Sequence, residues 1–312
     1  MKNTIKKIML IAFTTMHTYN VRAEENDMFV LLKSCFSSWP SNNAKRTRFK
    51  KYVIGRWSKA GMGAALNSVL CHLSHCRSQD LIPVVYWHGG AYHNPDGFNG
   101  ENQNEWEYYF NQTSHLTYAQ GDIINHLCNY KEYNNFKQAN NFQKKRNIAY
   151  SLINDYIHLN PIVEAKVDHF YNTHLAGKKT IAIHLRGTDK YLETPLISPE
   201  RIIAEALKHA DENTQFFLAT DEQKLLDAMI RLLKGRTVVY YDCYRSENGK
   251  PLHVQNNASP TSRIQPSFAQ LGEDVIVEMW LMGKCDMFIR TLSNVSAIPL
   301  FLNPRLPHVT LS

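Results

Sequence analysis

The 312-residue chain has no run of about 20 apolar residues, the length a helix needs to cross a bilayer. Its longest apolar stretch near the start, Ile8 to Met16, is far too short for that. It has no Gly-x-Gly-x-x-Gly with an acid about 20 residues further on, so the dinucleotide fingerprint is excluded. No CxxC and no Cys/His pair has the spacing of a structural zinc site. There is no Asp-x-Asp, a pair that can hold a divalent ion over a diphosphate. Glycine (14) and proline (12) are sparse, and no single-sign charge block or internal repeat occurs, which leaves no tail, linker or solenoid to account for.

What is present is globular: 44% hydrophobic and 11% aromatic residues, enough chain for two domains with cores of their own. A net charge of +7 raises the question of nucleic acid. Residues 1–23 carry Lys2, Lys6, Lys7 and Arg22 and no acid, so the remaining 31 cations face 28 anions, a net of +3. The basicity is therefore concentrated in the leader, and no nucleic-acid partner is expected. The leader has a positive start, a short apolar stretch and a Val-Arg-Ala end, which reads as a signal peptide cleaved after Ala23. It points to the secretory pathway, the periplasm or membrane association, and to the cytoplasm if it is not a signal. Six cysteines (35, 71, 76, 128, 243 and 285) fit an oxidising compartment, and their spacing does not give their pairing.

Periodicity predicts an alternating α/β chain. In the first half, Lys51–Ile54 reads as a strand, Ser58–Cys76 as a glycine turn opening a helix, and Leu81–Trp87 as a buried strand. Gly61 and Gly63 sit at the strand-to-helix junction, where backbone can approach an anion at the helix N-terminus. The polar, aromatic stretch 89–110 reads as a long irregular loop over a cleft. A helical region, about 141–173, leads to a second set of strands at 180–185, 215–219, 237–241 and 287–291, separated by helices at 199–210, 222–233 and 272–282 and followed by one from Asn294. Such alternation indicates a parallel, doubly wound sheet whose ligands lie beyond the carboxyl strand ends.

Three polar packets fall at those ends: His184, Arg186, Thr188, Asp189 and Lys190; Ala219–Glu222; and Arg290–Asn294. Asp221 and Ser293 also have a plain reading as helix N-caps. Arg186 suits a bidentate contact with phosphate or carboxylate.

The segment "HLRGTDK" resembles the His-x-Arg-Arg-Thr-Asp-Lys motif of α1,6-fucosyltransferases, nodulation fucosyltransferases and protein O-fucosyltransferases. "FFLATDEQKLL", "GEDVIVEMWLMGKCDMFIRTLSNVSAIPLFLN" and "KAGMGAALNSVL" resemble further motifs of the same superfamily. The resemblance implies a GT-B-type fold with two Rossmann-like domains facing a cleft: an acceptor-side domain over 24–173 and a GDP-sugar domain over 174–312. It implies inverting transfer of L-fucose from GDP-fucose to a glycan or protein hydroxyl, without metal or other cofactor. The alternative is a catalytically inactive sugar- or nucleotide-binding protein of the same fold. Carried over by position, His184 and Glu278 match the guanine-holding pair and Arg186 the arginine on the β-phosphate. Thr291, Ser293 and Asn294 match the turn at the pyrophosphate. Gly61, Gly63 and Asp221 are further donor-side candidates, Lys190 either aids the phosphate or pairs Asp189, and Asp189 and Glu193 are the candidate bases. There are three departures: Gly187 replaces the second arginine, Asn294 replaces the second serine, and Glu193 lies one residue nearer the motif than the family's acceptor-side acid.

Overall fold

The computed structural model describes residues 50–56, 60–126, 142–188, 197–252 and 266–312. The leader at 1–23, together with Cys35, Cys128, Asp189, Lys190 and Glu193, lies outside the described residues. The first strand, β1 (Lys51–Ile54), is followed by helix α1 (Met62–Ser78), β2 (Ile82–Val85) and the short β3 (Ile124–Asn125). Helices α2 (Phe142–Tyr156) and α3 (Pro161–Phe170) then lead to β4 (Thr180–His184). The chain continues through α4 (Pro199–Leu207), β5 (Gln215–Ala219), α5 (Gln223–Leu232) and β6 (Val238–Val239). It closes with α6 (Phe268–Gly283), β7 (Met287–Thr291), α7 (Asn294–Leu302) and β8 (His308–Leu311).

The strands form two parallel sheets, ordered β2-β1-β3 and β6-β5-β4-β7-β8. In the second sheet the chain winds outward from β4 through β5 to β6, then returns to the other side of β4 for β7 and β8. The winding therefore reverses between β4 and β7, the place where doubly wound sheets open a crevice. The architecture is α/β, as the alternation predicts. Phe49–Ser312 forms one compact unit.

Strand periodicity explains how the second sheet is covered on both faces. Ile181, Ile183, Leu185, Phe216, Leu218 and Ile289 point to one side and pack with Ile202, Ile203, Leu226 and Met229 of α4 and α5. Ala182, Phe217, Ala219 and Phe288 point to the other side and join the larger core with α6 and α7. Fully burying each such side chain contributes roughly 1.5–3 kcal/mol. His184 is two residues beyond Ala182, so the pleat puts it on the α6 side of the central strand.

The larger core also takes in the N-terminal half. The loop expected to be a polar cover buries Trp106, Tyr108, Tyr109 and Phe110 completely. Its polar residues fold back on it: Asn104 Oδ1 accepts from the Trp87 amide, and the Tyr109 hydroxyl donates to the Ala269 carbonyl on α6. The loop is thus a core element, tied to Trp87 after β2 and to α6.

Gly63 shows why the glycine turn has its composition. A Cβ there would lie 2.5 Å from the Val295 amide nitrogen and 2.6 Å from the Asn294 carbonyl carbon. Only a residue without a side chain lets the first turns of α1 and α7 touch backbone to backbone. Asn67 Nδ2 donates to Asn294 Oδ1 at 3.3 Å across the same contact. Cys71 is disulfide-bonded, whereas Cys76, Cys243 and Cys285 are free thiols.

Candidate functional site

A cavity of about 240 Å³ opens at the reversal between β4 and β7. Its walls come from the carboxyl ends of both sheets. Gly61 and Gly63 follow β1, Tyr92 follows β2, Arg186 and Thr188 follow β4, Asp221 follows β5, and Asn294 follows β7. Leu271 and Val275 of α6 form an apolar wall. Of the sequence-selected residues, Gly61, Gly63, Arg186, Asp221 and Asn294 line this cavity, while His184, Glu278, Thr291 and Ser293 are buried and do not line it.

Arg186 stands on a turn fixed by its neighbours. Its amide donates to Thr291 Oγ1 at 3.4 Å, which ties the end of β4 to the end of β7. Asp221 accepts from the Gly187 amide at 2.8 Å and from the Thr188 hydroxyl at 2.6 Å, and lies 3.8 Å from Arg186 Nε. Asp221 is therefore no helix cap; Glu222 is the N-cap of α5, and Asp221 holds the turn that carries Arg186. Ser293 is the N-cap of α7, in a reciprocal capping box with Ser296. The last packet's Arg290 is structural. Its Nε donates to Thr310 and its Nη1 to the Ser296 carbonyl at 2.8 Å, and burial pulls it down to about 10.

Gly187 occupies the position of the resembled motif's second arginine. A side chain there would run into Glu222 and Leu225, so a second arginine has no space unless both move.

Two helices point their N-termini into the cavity. Gly61 caps α1 without a side-chain hydrogen bond, and Met62 N–H donates to the Tyr92 hydroxyl at 3.2 Å. Asn294 opens α7 on the other side. Two such termini and the Arg186 guanidinium offer positive charge to the cavity, beside the Asp221 carboxylate.

Glu278 lies deeper on the same stripe of α6 as Leu271 and Val275, at spacings of seven and three residues. Burial pushes its carboxyl up to about 7, against the opposing pull of Arg245. Arg245 Nη2 is 3.1 Å from Glu278 Oε1, and the Cys243 thiol donates to the same oxygen at 3.6 Å.

Sequence reading missed a second charged cluster beside the cavity, on the N-terminal sheet. Arg56, just past β1, lies against the ring faces of Trp87 and Tyr92, 5.2 and 4.8 Å from their centroids. It donates to Glu105 Oε2 at 3.1 Å and to the Ala60 carbonyl at 2.6 Å, immediately before the glycine turn. Glu105 Oε1 accepts from the Gly90 amide at 2.6 Å and lies 3.6 Å from His93 Nδ1. An arginine directly after an apolar strand is the signal that singled out Arg186, and it was equally available at Arg56.

No protein-family model matches the chain, and no curated protein matches its sequence. Among solved structures, fucosyltransferase NodZ from Bradyrhizobium matches 82% of this chain and 94% of its own at 16% identity, with a TM-score of 0.50. POFUT1 in complex with GDP matches 85% and 99% at 11% identity and a TM-score of 0.47. A variant of Arabidopsis thaliana FUT1 in complex with GDP matches 97% and 77% at 13% identity and a TM-score of 0.48. The chain has a fucosyltransferase-like fold.

Proposed function

We propose that the chain is an inverting glycosyltransferase that moves L-fucose from GDP-fucose to a hydroxyl of a glycan or protein. The observation that carries this reading is the position of Arg186, at the end of the central strand, in a cavity also lined by the N-termini of α1 and α7. A leaving diphosphate needs that charge, and the fold is one that a fucosyltransferase uses.

In this reading the diphosphate rests against Arg186 and the first turns of α1 and α7, and the guanine lies along α6 towards His184 and Glu278. The Glu278 carboxylate accepts from guanine N1–H and N2–H₂, and Asp221 keeps the Arg186 turn in place. The acceptor hydroxyl attacks the anomeric carbon from the side opposite the diphosphate, the bond to the diphosphate oxygen breaks, and its electrons leave with GDP. Lys190 is a further candidate for the phosphates.

A nucleotide panel tests the reading. GDP at 100 times its Kd should stabilise the protein by about 2.7 kcal/mol over the ligand-free state, and UDP or ADP at the same concentration clearly less. The carboxyl of Glu278 sits at about 7 in the folded protein, above its usual 4.5, so its ionised form grows in as pH rises through 7. In the free protein this works against stability, because the gain from the neutral carboxyl is complete below 4.5 and lost as pH passes 7. Guanine binding requires the ionised form, so GDP affinity should rise about tenfold between pH 6 and pH 8. Glu278→Gln should bind GDP more weakly at pH 8 and lose that slope. Equal shifts with all three nucleotides would rule out the guanine assignment.

A further inference from the structure

The donor side of the site has its arginine, but its described carboxylates are already committed. Asp221 holds the Gly187 amide and the Thr188 hydroxyl, and Glu278 is paired with Arg245. The two carboxylates expected from sequence as bases, Asp189 and Glu193, lie outside the described residues. The loop after β2 offers a group that no motif had marked. His93 directly follows Tyr92, which lines the cavity with Arg186.

The ring of His93 is 23% exposed, yet its Nδ1 is enclosed, so the exposure lies on its other atoms. Nδ1 faces Glu105 Oε1 at 3.6 Å. Glu105 is fully buried, with one oxygen on the Gly90 amide and the other on Arg56, so the carboxylate is held in place. The ring edge of His88 meets His93 at a centroid distance of 5.0 Å. A carboxylate facing one ring nitrogen is the arrangement that orients a catalytic imidazole, with the opposite nitrogen, Nε2 here, turned to the proton it takes. A 3.6 Å approach is long for a hydrogen bond, and catalytic contacts of this kind commonly tighten only with substrate bound.

We propose that His93 is the general base of the transfer, with Glu105 as its positioning residue and Arg56 as the anchor of Glu105. The assignment rests on the GDP-fucose reading above. The acceptor O–H proton passes to His93 Nε2 while the acceptor oxygen forms the bond to the anomeric carbon. The bond from that carbon to the diphosphate breaks, and its electron pair leaves with GDP against Arg186.

The experiment uses the full chain, GDP-fucose as donor and water as acceptor, with GDP release as the rate and GDP Kd as a second readout. His93→Ala should lower kcat by about 10²-fold, with GDP Kd unchanged within about twofold. Free imidazole should restore much of the rate to His93→Ala. His93→Gln fills the space and should show the loss without the rescue. A near-native rate in His93→Ala, or a loss that imidazole does not repair, overturns the assignment. A loss confined to Asp189→Asn or Glu193→Gln overturns it as well and gives the role to that carboxylate. If the unmodified protein neither binds GDP nor releases it from GDP-fucose, the donor reading fails, and the base assignment with it.

Discussion

Arg186→Lys is expected to lower kcat for GDP-fucose by about 10²–10³-fold, with little change in thermal stability. The size of the effect follows from what the site provides for the leaving group. As GDP departs, negative charge builds on the diphosphate oxygens, and Arg186 is the cationic side chain lining the cavity among the described residues. Lysine keeps the charge but replaces a planar fork with a point charge on a flexible stem, so two directed hydrogen bonds are lost together. The turn itself should survive, because Asp221 and Thr291 hold it through the backbone amides of Gly187 and Arg186 and through Thr188. Stability and catalysis therefore separate in this variant. Near-native turnover in Arg186→Lys would show that Arg186 is there for the fold alone.

Arg56→Ala should do the opposite and cost stability first, by about 3–5 kcal/mol. The Arg56 and Glu105 side chains are 1% and 0% exposed, so removing the guanidinium leaves a carboxylate in the protein interior without its cation. The contacts with Trp87 and Tyr92 and the hydrogen bond to Ala60 are lost with it. For a unit of this size the expected fall in Tm is roughly 6–20 °C. The double variant Arg56→Met with Glu105→Gln should recover part of the loss, because a neutral pair leaves no orphaned charge. Thermal unfolding of the three proteins decides the point. A fall of less than about 2 °C in Arg56→Ala would mean that the pair does not hold this loop.

The legible parts of the fold were those with local, periodic signals. The strands around Ile181, Phe217 and Ile289 are short apolar runs covered on both faces, and the glycine turn before α1 announces itself in sequence. By contrast, β3 is two residues long and β8 is a half-buried edge strand, so neither has a clear apolar pattern. Helix α6 starts at Phe268, behind a Ser267 cap, rather than at the expected 272. The loop at 89–110 looked like a surface cover because its Asn, Gly and Glu residues are polar. Its burial depends on partners far away in the chain, such as Ala269 for Tyr109. The same holds for Arg56 and Glu105, which are 49 residues apart. The donor-side candidates were visible because they follow strands in sequence, whereas the His93 cluster exists only through tertiary contact.

The most direct test of the account is GDP release from GDP-fucose by the unmodified protein, measured in excess EDTA and again with saturating Mg²⁺ or Mn²⁺. With Arg186 and the N-termini of α1 and α7 compensating the diphosphate, the reaction should proceed in EDTA. Added metal should change its rate by less than about tenfold, or about 1.4 kcal/mol of barrier. Binding of GDP without any release from GDP-fucose would instead mark a catalytically inactive binder. Activity that vanishes in EDTA and returns with Mn²⁺ would contradict the role given to Arg186.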